Sequence, residues 1–325
     1  MKAAVYRRNG GPEVLSYEDV PDPVPGTDEV LIRTEAISIE GGDLMCRLLV
    51  PPPADGFVIG YSSAGEVVAV GSAVTGLEVG QKVCAFGQAH GLPAGSHAEL
   101  RVVRPEHCWV LPDGFDPKAA ALVPVTFSTA YEALFERGRL TSGDTVLVQG
   151  AASGVGLAAM QLAKKAGARV IGSASNPARF EELRRYGLDE GIDYRGENVR
   201  DRVLALTGGR GVDLAVDCVG GSLLQQLIEA TRHGGHIVPL GTASREESTV
   251  DVVSLIRSNT TLHGVGLASL LHEARVHAYM ADLIRRIADG ELEAVIDRVF
   301  PLADAAAAHH YAEQRGRIGR VVMVP

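Results

Sequence analysis

The segment VLVQGAASGVGL, residues 146–157, constrains this chain more than any other stretch. A run of β-branched and apolar residues is followed by a turn of small residues and then by the amphipathic run GLAAMQLAKKAG. That order is strand, tight turn, helix. Small turn residues let a backbone approach phosphate oxygens closely, and a helix N-terminus offers unpaired N–H groups and the positive end of its dipole. The segment therefore reads as a dinucleotide pyrophosphate site. In a G-x-G-x-x-G frame starting at Ala151, the first two positions are Ala151 and Ser153, and only Gly156 is glycine. A tight βα turn without a ligand is the other reading, and the flanking sequence weighs against it.

Across the 325 residues two textures alternate. The first hundred or so residues are short β segments (KAAVY, EVLIRTEAISI, SAGEVVAVG, KVCAF, HAELRVV) broken by clusters such as VPDPVPGTD and VPPPADG, which predicts an antiparallel, barrel-like unit without long helices. From about residue 118 helical runs alternate with apolar strands (DTVLVQG, ARVIGSA, EGIDY, VDLAVDCVG, HIVPLG), the pattern of a parallel sheet covered on both faces. A helix over LLHEARVHAYMADLIRRIADG, a strand around Val295 to Phe300, another helix and the closing strand GRVVMVP follow, and the last of these is placed to rejoin the first domain. The expected class is α/β, with domains over 1–122 and 123–270 and a C-terminal return over 271–325.

A net charge of −9 with scattered lysines and arginines would repel a polyphosphate backbone, so nucleic acid is not an expected partner. No stretch approaches the roughly 20 apolar residues needed to cross a bilayer, and the N-terminus MKAAVYRRNGGPE lacks a signal-peptide core, so no membrane association and a cytoplasmic location are expected. Cys46, Cys84, Cys108 and Cys218 lie far apart without C-x-x-C spacing, and buried free thiols are the expectation.

About twenty residues past the turn, where an NAD-binding site offers a carboxylate to the ribose hydroxyls, the strand ends in Ser173, Ala174 and Ser175. Arg179 follows, and Tyr194 closes the next strand in GIDYRG. Hydroxyls, a guanidinium and a phenol suit a 2′-phosphate, which favours NADPH over NADH. The competing reading makes Arg179 a solvated helix residue and Tyr194 a packing residue.

Taken together, GYSSAGEVVAVGSAVTGLEVGQKVCAFG, DTVLVQGAASGVGLAAMQLAKKAGARVIGSAS, GIDYR, VDLAVDCVGG and PLADAAAAHHYAEQRGRIGRVVMVP resemble the zinc-free quinone oxidoreductases of the medium-chain dehydrogenase/reductase superfamily, over essentially the whole chain. The resemblance implies a GroES-like β-barrel-type catalytic domain, an inserted Rossmann domain with a doubly wound parallel sheet, and a cofactor in the cleft between them. It places the pyrophosphate turn on Ala152, Ser153, Gly154 and Val155, and 2′-phosphate recognition on Ser173, Ser175, Arg179 and Tyr194. Gly241 and Thr242 are placed on the nicotinamide side. Zinc-dependent relatives would carry ligands near Glu40, at Tyr61 and Ser62, and near Val125, and a cysteine-rich lobe where GQAHGLPAGS stands. No metal is therefore expected. His90 and His97, in this loop region, read as surface or interdomain histidines rather than catalytic ones.

Without a metal, the chemistry implied is hydride transfer from NADPH to an activated acceptor, a quinone or an α,β-unsaturated carbonyl, with hydrogen-bond donors at the acceptor oxygen. Tyr61 is the first candidate donor, and a tyrosine packed in the barrel wall is the other reading. The segment AISIEGGDLMCR departs from the family pattern of Asn-Pro or Asn-Phe before the Asp with a tyrosine soon after it, because Ser38, Ile39 and Met45 stand there. Asp43 and Arg47 are retained, as a substrate anchor or as a structural ion pair. Thr126 and Thr129 are cleft residues or helix caps. An enoyl-thioester or 2-alkenal reductase and a catalytically weak NADPH-binding regulatory protein remain as alternatives. The resemblance also implies a homodimer, with TTLHGVGLASL at the sheet edge.

Overall fold

The computed structural model describes residues 1–89, 92–93 and 95–325. The chain divides into two compact units, one of Met1–Ser128, Ala268–Gln314 and Gly319–Pro325, the other of Thr129–Leu267 and Arg315–Ile318.

In the second unit, six parallel strands form one sheet in the order Glu190–Asp193, Arg169–Ala174, Thr145–Gln149, Val212–Asp217, Thr231–Pro239, Thr261–Leu262. Numbered along the chain, this is the 3-2-1-4-5-6 order of a doubly wound dinucleotide-binding sheet. The two central strands, TVLVQ and VDLAVD, are buried at every residue, and their middles, Val146–Val148 and Leu214–Val216, are apolar without alternation. Between them the strand order reverses, and loops leaving the carboxyl ends of strands diverge there to leave a crevice.

The first unit holds the expected antiparallel strands. Val30–Ser38 pairs antiparallel with Ser62–Val70, with Leu100–Val103 and with Arg320–Val324. The C-terminal strand thus returns to the first sheet. Among the described residues, the unit departs from a purely antiparallel one where Ile296–Pro301 runs parallel to Arg320–Val324, with helix Ala305–Glu313 in the connection between them. Lys82–Phe86 pairs antiparallel with Ser62–Val70 in turn, and one core cluster gathers alternate residues of these strands, including Val30, Ile32, Val67, Val83, Ala85 and Val103. Among the described residues of the first hundred, an α-helix interrupts the β texture. Gly41–Leu49 starts on two glycines, poor helix formers, and Asp43 in its first turn accepts the Glu40 N–H at 2.8 Å, satisfying a donor that the helix itself leaves unpaired.

Helix Pro117–Leu122 continues into the π-helical stretch Val123–Phe127, where Pro124 lacks the N–H that a regular α-helical ladder needs. Among the described residues, no helix is long and apolar enough to cross a membrane. All four cysteines are buried, and none is in a disulfide.

Candidate functional site

The strand Thr145–Gln149 passes into helix Gly154–Lys165 through Gly150, which takes the left-handed conformation (φ 79°) with the Val219 side chain within 3.0 Å of where a Cβ would stand. This explains the Ala151 departure from the glycine pattern: the left-handed residue is displaced by one position, and Ala151 has no positive φ. Ser153 caps the helix, its Oγ accepting the Gly156 N–H at 3.1 Å. At Gly156 a Cβ would lie 2.9 Å from both the Cα and the carbonyl oxygen of Ala151, so only glycine lets helix and turn approach. The first-turn N–H groups of Gly154 and Val155 have no intrahelical acceptor and point out of the helix end beside Ala152 and the exposed Ser153. The cradle fits a pyrophosphate.

On the neighbouring strand the register pairs Ala174 with Asp193, so Ser175 and Tyr194 emerge side by side at the carboxyl end of the sheet. Both are partly exposed. Arg179 ends a short turn of 3-10 helix, half-exposed, with Nη1 2.9 Å from Glu182 Oε2. Ser173 is placed otherwise than a phosphate ligand requires. It is fully buried, its Oγ donates to Gln149 Oε1, and its carbonyl accepts the N–H groups of Gly150 and Ala151 at 3.2 and 2.9 Å. Its contribution is to hold the glycine turn against the second strand.

Past the strand-order reversal, Asp217 Oδ1 accepts the N–H groups of Val219 and Gly220 at 2.8 and 2.9 Å and shapes the loop after the fourth strand; burial pushes its carboxyl above the usual range. After the fifth strand a cavity of about 400 Å³ opens, lined by Pro239, Leu240, Gly241, Thr242, Gly264, Val265 and Gly266. Gly241 and Thr242 are the pair expected on the nicotinamide side. The sequence places Gly264 to Gly266 only as part of a sheet edge, although a G-V-G run one strand after HIVPLG is a signal for close backbone approach.

In the first unit Tyr61 lies just before strand Ser62–Val70. Its ring stacks on Phe86 (centroids 5.3 Å apart, interplanar angle 30°) and lies over Gly42, whose Cβ would stand 3.2 Å from the Tyr61 Cζ. The side chain is half-buried, burial raises its pKa further above neutrality, and among the described residues the hydroxyl meets no hydrogen-bond partner. It is a protonated, unengaged donor.

Asp43 and Thr126 are both buried. The Asp43 oxygens accept from backbone, Oδ2 from Glu40 and Oδ1 from Tyr61 at 3.2 Å; burial first, and the Glu40 carboxylate in addition, push its carboxyl up to about 8. A substrate-facing carboxylate is therefore replaced by one that organises backbone. Arg47 reaches Glu313 at 2.6 Å and the Gly10 carbonyl at 3.1 Å. Thr126 is inside the π-helical stretch rather than at a helix cap, and its Oγ1 accepts from Arg320 Nε at 2.9 Å. Thr129 is buried as well.

Two of the positions where zinc-dependent relatives would carry ligands, Glu40 and Ser62, are otherwise engaged. Glu40 accepts from Ser38 Oγ and lies 2.6 Å from Arg320 Nη2, while Ser62 Oγ donates to the Ala121 carbonyl at 2.7 Å. A guanidinium on the acid and a hydroxyl turned to backbone do not fit a zinc ion. Among the described residues no three His, Cys, Asp or Glu side chains are grouped to hold a metal. His97 is not superficial. It is fully buried in the first unit, its Nε2 2.8 Å from His309 Nε2 and its Nδ1 3.1 Å from Ser96 Oγ, and burial, aided by Arg101, holds its pKa down to about 3. His90 lies outside the described residues.

Residues 26–113 match the family model of the alcohol dehydrogenase GroES-like domain, and residues 154–288 that of the zinc-binding dehydrogenases. A quinone oxidoreductase of Pseudomonas aeruginosa is 36% identical over 100% of this chain and 99% of its own length. A 2-haloacrylate reductase of a Burkholderia species is 29% identical over 99% and 98%. The crystal structure of Escherichia coli quinone oxidoreductase complexed with NADPH superposes with a TM-score of 0.93 at 26% identity, covering 100% of both chains. With a parallel sheet in dinucleotide-binding order, a glycine turn shaped for a pyrophosphate and full-length similarity of this degree, the chain belongs to the quinone oxidoreductase family of the medium-chain dehydrogenase/reductases and is an oxidoreductase of the nicotinamide-nucleotide type.

Proposed function

We propose that this protein is an NADPH-dependent reductase that passes a hydride to a quinone or to the β-carbon of an α,β-unsaturated carbonyl compound without a metal. The observation that carries the cofactor preference is the carboxyl end of the second and third strands, where Ser175, Arg179 and Tyr194 stand and the strand itself ends in hydroxyl and methyl side chains. One guanidinium and two hydroxyls suit a 2′-phosphate, which NADH lacks. Ala152, Ser153, Gly154 and Val155 hold the pyrophosphate, and Gly241 and Thr242 border the cavity for the nicotinamide.

When bound, the reduced nicotinamide supplies the hydride. Two electrons and one hydrogen reach the acceptor, which becomes a hydroquinone anion or an enolate. The Tyr61 hydroxyl donates a hydrogen bond to the acceptor oxygen as negative charge grows there, an interaction stronger in the transition state than before it. The one proton that neutralises this anion comes from water. Two of the relatives above are named for quinone, one of them complexed with NADPH, and the third is named for 2-haloacrylate, an unsaturated acid. The protein works in the cytoplasm as a homodimer.

The test is oxidation of NADPH and NADH, followed at the nicotinamide absorbance, with 1,4-benzoquinone, 9,10-phenanthrenequinone and a crotonyl thioester. Turnover with a marked preference for NADPH is expected, and the fastest acceptor assigns the branch. NADH used equally well refutes the cofactor assignment, and tight NADPH binding with no turnover of any acceptor refutes the reductase. Sedimentation velocity at micromolar concentration reads the dimer.

A further inference from the structure

We propose that Asp43 and Arg101 are positioning residues for the reduction, gripping successive peptide groups of Tyr61 so that its hydroxyl stands where an acceptor oxygen arrives. The proposal rests on the reading of Tyr61 as the hydrogen-bond donor. Asp43 Oδ1 accepts the Tyr61 N–H at 3.2 Å. On the other side of the same residue the Tyr61 carbonyl accepts from Arg101 Nη1 at 3.2 Å and from the Gly87 N–H at 2.8 Å. Arg101 Nη1 also donates to Ser63 Oγ at 2.8 Å, tying the grip to the strand that follows. Asp43 and Arg101 are buried, 0% and 1% exposed, so neither side chain presents itself to an acceptor.

With both peptide groups fixed, the backbone dihedrals of Tyr61 are fixed, and the ring direction is left to its side-chain torsions. Phe86 on one face and Gly42 beneath restrict those. The hydroxyl at the end of the ring is the one polar atom of the residue left without a partner among the described residues. Two buried ionisable groups on the peptide groups of one residue are a poor way to hold a barrel wall, since well-packed apolar residues serve stability as well or better. They are an effective way to fix a donor, because displacement of a catalytic group by about 1 Å lowers a rate by about a hundredfold.

The experiment is a pair of double-mutant cycles with the acceptor from the panel that turns over fastest. Asp43→Asn preserves the shape but has one acceptor oxygen for the two N–H groups of Glu40 and Tyr61, and turns its amide on the other, while Arg101→Lys keeps the charge but loses the planar fork. Each is made alone and combined with Tyr61→Phe, with NADPH affinity measured by nicotinamide fluorescence. With Tyr61 present, each substitution is expected to lower kcat by about tenfold or more, leaving the NADPH dissociation constant within about twofold, and in the Tyr61→Phe background to change kcat less than about twofold. Equal losses in both backgrounds refute the positioning role while leaving Tyr61 as the donor. A Tyr61→Phe enzyme as fast as the parent refutes the donor and the positioning role with it. A variant that does not fold leaves the other cycle to decide, and failure of both to fold assigns the two residues to stability alone and overturns the proposal.

Discussion

Arg179→Ala should separate the two nicotinamide nucleotides. The guanidinium is 42% exposed and already lies 2.9 Å from Glu182. A phosphate charge about 4 Å away in a medium of effective dielectric about 20 interacts by about 4 kcal/mol per unit charge. Half-exposure screens this, and Glu182 must share or surrender the guanidinium. A net contribution in the range of charged hydrogen bonds, about 1.5–3 kcal/mol, remains. Removing it should weaken NADPH binding by about 10- to 150-fold, while NADH, which has no 2′-phosphate, should change less than about twofold. The complementary substitution, Glu182→Gln, removes the competing carboxylate and should tighten NADPH binding several-fold, more so at low salt. Fluorescence titration of both nucleotides at two ionic strengths checks the pair. Parallel weakening of NADPH and NADH by Arg179→Ala would refute the argument, because it would assign Arg179 to the fold of the βα turn; unchanged NADPH affinity would leave the 2′-phosphate to other groups.

Two further outcomes follow from particular contacts. Gly156→Ala places a methyl group 2.9 Å from Ala151 backbone atoms, a neighbour that cannot turn aside; overpacking of about 1–3 kcal/mol should appear in thermal melts together with a loss of nucleotide binding of at least about tenfold, and wild-type affinity in this variant would contradict the close-packed turn. His97 is held down to about 3 by burial, so between roughly pH 6.5 and 3 the unfolded chain binds a proton that the folded chain does not, and its contribution to stability falls as pH falls through that window. His309, also lowered by burial, adds in the same direction. Asp43, raised to about 8, acts oppositely, since the folded chain keeps a proton that the unfolded chain has released above about pH 4. The unfolding free energy from urea titrations between about pH 4.5 and 6.5 should rise with pH, by at most about 1.4 kcal/mol per unit for each histidine less the Asp43 contribution, and less steeply in His97→Gln. A variant with an unchanged slope would remove His97 from the account.

The sheet of the second unit could be read from the sequence because its determinants are local. TVLVQ and VDLAVD are buried on both faces and apolar without alternation through Val146–Val148 and Leu214–Val216, and the helix between the glycine turn and Gly167 starts at Ser153 and ends with Lys164 and Lys165, where a serine cap and basic residues belong. The departure from G-x-G-x-x-G at Ala151 was legible as a departure and not as a solution. That the left-handed residue had moved to Gly150 depends on backbone dihedrals, which a pattern of glycines in one chain does not fix.

The side-chain partners were another matter. Ser173 stands in a row of hydroxyls that suits a phosphate, yet it is the residue whose register partner across the ladder is Gln149, and the pair bond each other. The loop around His97 suggests a superficial histidine, whereas its environment is set by His309, 212 residues away. Arg47 and Asp43, four residues apart in a helix, invite an ion pair by local spacing, and Arg47 instead meets Glu313, 266 residues distant. A polar side chain in a core goes to whichever complementary group can satisfy it with good geometry, and in a mixed sheet closed by the C-terminal strand that group often comes from the far end of the chain. The same reasoning bears on Tyr61. Analogy with a ligand position singles it out, but what makes it a candidate donor is a property no motif records: bonds from residues 18 before it and 40 after it hold its backbone, while its hydroxyl is left without a partner among the described residues. A buried acid and a buried base committed to the peptide groups of one tyrosine are explained if that hydroxyl acts at the acceptor, and the Tyr61→Phe background is where that explanation succeeds or fails.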